Sequence, residues 1–399
     1  MNRLAKSAFA RYTERYRQVA LMQPRLKGVG AYINWARSGF ELWQGASRIA
    51  AKPLKLTVDA TNVCQLRCPL CPTGQHIHDR ESGHAPLQML EKLLDELGDS
   101  LFFVDFFNWG EPLLNTHIED FISLANSRNV VTTISTNLSL PLTDDRIRRL
   151  IQSGLGEMIV SLDGASQETY QQYRRQGKFD LVFDNMRRIV RMKRELGSTS
   201  PLISWQFLVF GFNEHEIEKA RTMADEIGVD RILVRPAFLD IDRYPLSPSD
   251  RREISAWKPQ DKLYQIESGP HSGEKAHTRC GWHYTSTAIN WDGTVAPCCT
   301  VFEKQHDFGS LKDHSAYMDV VNNNAFQTVR ERFSGKRKEA SDLVCEHCPT
   351  PSIMNYHRFL NKQIVLFTAV GLVESIRRMI RPRRTKVQGT RLPAQSTAA

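Results

Sequence analysis

Cys64, Cys68 and Cys71 put three thiols within eight residues, with three residues between the first two and two between the last. Cys thiolates are the usual ligands of iron–sulfur clusters, and a four-iron cluster ordinarily takes four of them. A local triplet leaves one iron open to a small molecule. Zinc prefers four closed ligands, often as two separated pairs, so a lone triplet suits it poorly. The preceding run Leu54-Lys55-Leu56-Thr57-Val58-Asp59 alternates apolar and polar residues and reads as a strand. The thiols then sit at a strand's C-terminal end.

A second set of cysteines comprises Cys280, the adjacent Cys298 and Cys299, and Cys345-Glu346-His347-Cys348. Between its first members, residues 287–296 alternate around Asp292-Gly293, a hairpin signal that draws Cys280 towards Cys298. A helix over Tyr317 to Phe333 then leads back to Cys345 and Cys348. Spacing alone fits zinc as well as iron and sulfur, and leaves open whether Cys298 or Cys299 is the ligand.

The elements that must position these thiols alternate along the chain. Apolar runs at 54–59, 102–108, 130–136, 157–162, 203–209 and 231–235 read as strands. Helical periodicity falls at 87–97, 118–126, 144–152, 179–196 and 214–227. Six such units predict a parallel sheet covered by helices, with the site at the strands' C-terminal ends. Those ends carry Asn108-Trp109-Gly110-Glu111-Pro112, Ser135-Thr136-Asn137 and Ser161-Leu162-Asp163-Gly164, where polar groups gather.

At these residues the chain resembles the radical S-adenosylmethionine (SAM) superfamily. The resemblance implies an α/β fold, a partial (β/α)6 barrel over 54–236. It also implies a [4Fe-4S] cluster on Cys64, Cys68 and Cys71 whose open iron chelates SAM for cleavage to a 5'-deoxyadenosyl radical. Gly110-Glu111-Pro112 is similar to the family's Gly-Gly-Glu segment, with Trp109 in place of the first glycine, which implies that Glu111 meets the SAM ammonium. Asn137, Ser161 and Asp163 match positions that hold the SAM carboxylate or ribose. Cys280, Gly293, Cys298, Cys345 and Cys348 resemble a Twitch/SPASM-like α+β domain over 280–356, implying a second, auxiliary [4Fe-4S] cluster that relays electrons. A linker over 237–279, with a short helix around Pro248 to Trp257, joins the two. A reductant such as flavodoxin or ferredoxin is the implied partner.

The 399 residues are 41% hydrophobic and 24% charged, ordinary for a globular chain. No apolar run follows the basic Met1–Lys6, so no signal peptide is visible and a cytoplasmic, reduced setting is expected. Residues 1–55 carry 11 Lys and Arg against 2 acids, and residues 357–399 carry 9 against 1, so the net +9 comes from the ends. The arm 1–53 reads as basic helices through Leu4, Phe9, Tyr12, Tyr16, Val19 and Met22, then through Tyr32 to Ile49. The tail 357–399 reads as an apolar helix followed by arginines and a disordered end. Packing on the barrel competes with peripheral contact at the inner membrane face for both segments. No nucleic-acid partner is expected, and no catalytic acid or base stands out; Arg235, His283 and Tyr284 are bare candidates. Oxidation of a sugar, cyclitol or lipid-linked substrate ranks first. The alternatives are peptide maturation forming thioether or carbon–carbon links, and a non-catalytic metal-binding adaptor.

Overall fold

The structure, a computed structural model, describes residues 13–77, 79–265, 279–339, 341–348 and 355–380. Leu4, Phe9 and Tyr12 of the arm, part of the linker (266–278) and the tail from 381 lie outside the described residues.

Six parallel strands follow one another in space as in sequence: β1 (Lys55–Val58), β2 (Phe103–Asp105), β3 (Val131–Thr136), β4 (Glu157–Ser161), β5 (Leu202–Val209) and β6 (Arg231–Pro236). Helices Leu87–Leu97, Ile118–Ser127, Asp144–Gln152, Phe179–Glu195 and Ile217–Ile227 cover the outer face. Their apolar stripes are buried, as Leu90, Leu93, Leu94 and Leu97 are on the first of them. Thr143 starts the Asp144 helix by accepting the Arg146 N–H, with Asp144 and Asp145 in its first turn. β3 shows the alternation most clearly. On β3, Thr132, Ile134 and Thr136 are buried, while Val131, Thr133 and Ser135 stay half-exposed towards the concave side.

The hairpin also forms, as β7 (Ser286–Ile289) and β8 (Thr294–Ala296), with β9 (Gly309–Ser310) pairing antiparallel to β8. Gly293 turns it at φ 85°, a conformation glycine adopts without strain. β7 pairs with β1 in parallel, Lys55 opposite Ser286 through Val58 opposite Ile289. The auxiliary region therefore extends the barrel sheet to nine strands instead of standing apart.

Three local expectations change. The helix expected over Tyr317 to Phe333 is two, Tyr317–Val321 and Asn324–Ser334. Asn323 caps the second by accepting the Phe326 N–H, and the Asn322 amide exchanges two hydrogen bonds with the backbone of Ile49. A short helix, Gln167–Tyr173, appears where none was expected, started by Ser166. In the arm, residues 13–21 are helical as expected, and the second helix is Val29–Gln44 rather than Tyr32 to Ile49, stopped by Gly45 in the left-handed region.

The ends of the chain close the N-terminal side of the barrel. Leu360, Ile364, Phe367 and Val370 of the helix Tyr356–Ile380 are buried with Val19 and Ala31 of the arm against Leu54, Phe102 and Phe103. Both segments dock by these faces.

Candidate functional site

The loop after β1 is pinned by Leu66 and Leu70, which pack with Tyr173, Phe210 and Trp257. Cys71 ends the loop and begins the short helix Pro72–Gln75, so the N–H groups of Thr73 and Gly74 face its sulfur. Gly74 passes directly under the loop: a Cβ there would lie 2.5 Å from the Cys68 carbonyl. Burial pushes the Cys64 and Cys68 thiols up to about 12 and raises Cys71, while the Arg174 guanidinium opposes this at Cys68. Each of the three thiols is free. Among the described residues no three His, Cys, Asp or Glu side chains converge on one point as a single-ion site requires. Three neighbouring thiols are the donor chemistry that an iron–sulfur cluster takes.

The segment after β2 runs beside this loop. The Glu111 N–H donates to the Val63 carbonyl at 2.8 Å, and a Cβ on Gly110 would come within 1.9 Å of the Thr61 carbonyl, so only glycine fits. Both oxygens of Glu111 accept from the protein: Thr136 Oγ1 at 2.6 Å and Leu113 N at 3.1 Å on one, Asn137 N at 2.7 Å on the other. Burial pushes its carboxyl up to about 7. Glu111 thus ties the end of β3 to the cluster loop. Asn137 Nδ2 lies 3.6 Å from the Cys64 sulfur, and Asn137 Oδ1 accepts from Gln65 Nε2 at 2.9 Å. Ser161 is buried at the end of β4. Asp163 is fully buried, accepting from Arg174 Nε at 2.6 Å and Leu208 N at 2.8 Å.

Arg174 is the residue that sequence reasoning passed over. Asp163 aims it, Tyr173 carries it with 5.0 Å from guanidinium to ring centroid, and Cys68 faces it. It supplies a fixed cation beside the cluster loop, suited to a carboxylate. No spacing rule marks it, because it reaches the loop through tertiary folding. Asp59 was also missed as a positioning group: at the end of β1 it accepts the Trp109 N–H, and burial pushes its carboxyl up to about 7. Trp109, the departure from the glycine pattern, packs edge-on against Phe302, centroids 5.7 Å apart. Asn108, its amide oriented to satisfy both, accepts from Trp109 Nε1 at 2.8 Å and donates to the Cys299 carbonyl at 3.0 Å. The tryptophan joins the mouth of the barrel to the loop that follows Cys298.

The two neighbouring thiols of that loop have different surroundings. Cys280, Cys298, Cys345 and Cys348 lie within electrostatic reach of one another. Cys299 feels Cys298 itself and, beyond it, Lys55 and Asp105. His283 is buried against the rings of Phe308 and Phe326, and its Nε2 is 3.8 Å from the Cys345 sulfur. Burial drives its pKa down to about 3, so it is neutral, with one N–H. Nδ1 has no partner among the described residues, which favours the tautomer donating from Nε2 to the sulfur. Tyr284 donates to the Ala46 carbonyl and lies under Arg330, a structural role. Arg235 stands exposed at the end of β6.

A model described as the Radical SAM superfamily matches residues 58–224, and one described as an iron-sulfur cluster-binding domain, SPASM, matches residues 280–349. The chain belongs to the radical SAM superfamily. Its SPASM domain is the β7–β9 region with the second set of thiols, and both [4Fe-4S] chemistry and SAM follow as cofactors. The chain is 23% identical over 177 residues to GTP 3',8-cyclase of Desulforamulus reducens, a match covering 44% of this chain and 52% of that one. It is 27% identical over 130 residues to the mycofactocin maturase MftC of Mycobacterium tuberculosis, covering 33% and 32%. The matches thus span about half or less of those relatives. Streptococcus suis SuiB bound to precursor peptide SuiA shares the fold, with 16% identity, a TM-score of 0.53, and coverage of 80% of this chain and 74% of that chain. Among these similarities peptide maturation is better represented than the sugar, cyclitol or lipid-linked substrate that the sequence ranked first.

Proposed function

We propose that this radical SAM enzyme matures a peptide, by a net oxidation that forms a thioether or carbon–carbon link. The observation that carries the reading is the open concave face of the barrel. Asp105, Phe107, Thr133, Ser135, Ile159, Gln206 and Leu208 line it half-exposed, while their strand neighbours Val104, Phe106, Ile134, Val160 and Phe207 are buried. The sheet ends at unpaired edges, β6 and β9, so this face is open at its side. An extended chain can lie in such a groove, whereas a small alcohol is better held in an enclosed pocket. Similarity to MftC, and the fold shared with SuiB, support the same substrate class.

When bound, the cluster and SAM supply the 5'-deoxyadenosyl radical that takes a hydrogen atom from a substrate carbon. Cys64, Cys68 and Cys71 would hold that cluster, and Arg174, fixed by Asp163, would meet the SAM carboxylate. Glu111 and Asn137 hold the loop in place, with lone pairs left to face the SAM ammonium. Trp109 and Phe302 shield the mouth from water. Cys280, Cys298, Cys345 and Cys348 would supply four thiolates to an auxiliary cluster, which would suit it to electron transfer rather than substrate binding. A flavodoxin or ferredoxin would serve as reductant.

The test is anaerobic incubation of reconstituted enzyme with SAM, dithionite and separate panels of precursor peptides and of sugars and cyclitols. The expected result is 5'-deoxyadenosine together with a peptide that has lost a pair of hydrogens. Oxidation of a small alcohol with every peptide unchanged overturns the reading.

A further inference from the structure

Two helices outside the stretches that the family models match leave large apolar side chains in solvent. On Val29–Gln44, Val29, Ile33, Phe40 and Trp43 are 74%, 58%, 54% and 69% exposed. Their spacing of four, seven and three residues sets them on one stripe at 3.6 residues per turn. The Phe40 and Trp43 rings stack at 5.8 Å. On Tyr356–Ile380, Phe359, Val365, Leu372 and Ile376 are 51%, 57%, 50% and 42% exposed.

The two stripes belong to one surface. Trp35 Nε1 donates to Asn361 Oδ1 at 2.8 Å, and Tyr32 meets Thr368, so the helices lie side by side in opposite directions. Each buries its inner edge, the first through Ala31, Asn34 and Ser38, the second through Leu360, Ile364 and Phe367. Their remaining faces open outward together.

The surrounding charge has one sign. Arg37, Arg358 and Lys362 are exposed, whereas Glu41 is buried capping the Ala50 and Ala51 N–H groups and Glu374 is paired with Arg377. The flanking sequence continues the excess, seven bases to one acid over residues 1–28 and five to none over residues 381–399.

We propose that this paired-helix face docks on an anionic lipid surface. Exposed aromatic and aliphatic side chains ringed by Lys and Arg are what an interfacial helix presents to headgroups and acyl chains. Tyr356–Arg377 is apolar and long enough to cross a bilayer, with a mean hydropathy of 1.3. It lies along the surface instead, because Leu360, Ile364 and Phe367 form the floor of the barrel and crossing would strip them from it.

Flotation of the reconstituted full-length enzyme tests this without any peptide substrate, so its outcome is independent of the maturase reading. The vesicles are phosphatidylcholine alone or mixed with phosphatidylglycerol. The enzyme should float with the mixed vesicles at low salt, and binding should fall about tenfold in high salt, where the Debye length shrinks. The Phe40→Ser/Trp43→Ser double variant should lose a further tenfold or so with iron content and 5'-deoxyadenosine formation unchanged. Failure of the wild type to float with anionic vesicles at low salt overturns the proposal, and so does equal binding to phosphatidylcholine alone. A dimer seen by light scattering and broken by the same double variant would also overturn it, by assigning the face to a second copy of the chain.

Discussion

At the scale of single residues, ligand assignment rests on where each thiol points. Full reconstitution should give about eight irons per chain, two four-iron sites by ligand count. Cys64→Ala and Cys345→Ala should each bring iron close to half, with SAM cleavage lost only in the first. Cys299→Ser should leave iron unchanged because Cys280, Cys298, Cys345 and Cys348 already make up a set of four. Iron analysis with electron paramagnetic resonance reads all three; loss of a cluster in Cys299→Ser would reverse the assignment. Glu111 gives a pH dependence whose sign is fixed. Burial lifts its carboxyl from 4.5 to about 7, so between those values the folded chain holds a proton that the unfolded chain has released. Its contribution therefore makes stability fall as pH rises through that window, on the order of 3 kcal/mol, and stay level above it. Glu111→Gln should flatten the fall in thermal midpoint across that range, leaving the part due to Asp59, which is raised in the same way.

At the scale of elements, the segment after the cluster loop is clasped by the hairpin. Arg80 is buried and makes two hydrogen bonds to Asp307, at 2.7 and 2.5 Å, and one to Thr294 at 2.8 Å. Trp291 donates to the Glu81 carbonyl and lies on Gly83, where a Cβ would come within 2.4 Å of the ring. Asp79 accepts the Lys304 N–H. The clasp fixes the auxiliary thiols relative to the barrel. Arg80→Ala leaves Asp307 buried without its cation and should cost about 3–5 kcal/mol in urea unfolding, as breaking one side of a buried pair does. A loss below about 1 kcal/mol would mean that the β1–β7 pairing alone holds the two parts together.

At the scale of the whole molecule, the helix Tyr356–Ile380 reaches back from the C-terminal end of the chain to floor the barrel. Ile364 is fully buried in that contact, so Ile364→Ala should cost about 2–5 kcal/mol, read as a lower thermal midpoint. An unchanged midpoint would mean that the floor does not support the barrel. The sequence by itself determined the alternating units, the cluster loop and the hairpin, because hydrophobic period, Cys spacing and Asp-Gly chemistry are local signals carried within a few turns. It also narrowed the second thiol set to five cysteines. Only the tertiary structure gives Cys298 and Cys299 different surroundings, the first within reach of Cys280 and Cys345, the second near Lys55 and Asp105. It likewise brought Arg174 to Cys68, set Trp109 on Phe302, joined β7 to β1 and split the helix at Asn322. Each of these depends on residues far apart in the chain, and neither periodicity nor spacing encodes which distant surfaces will meet.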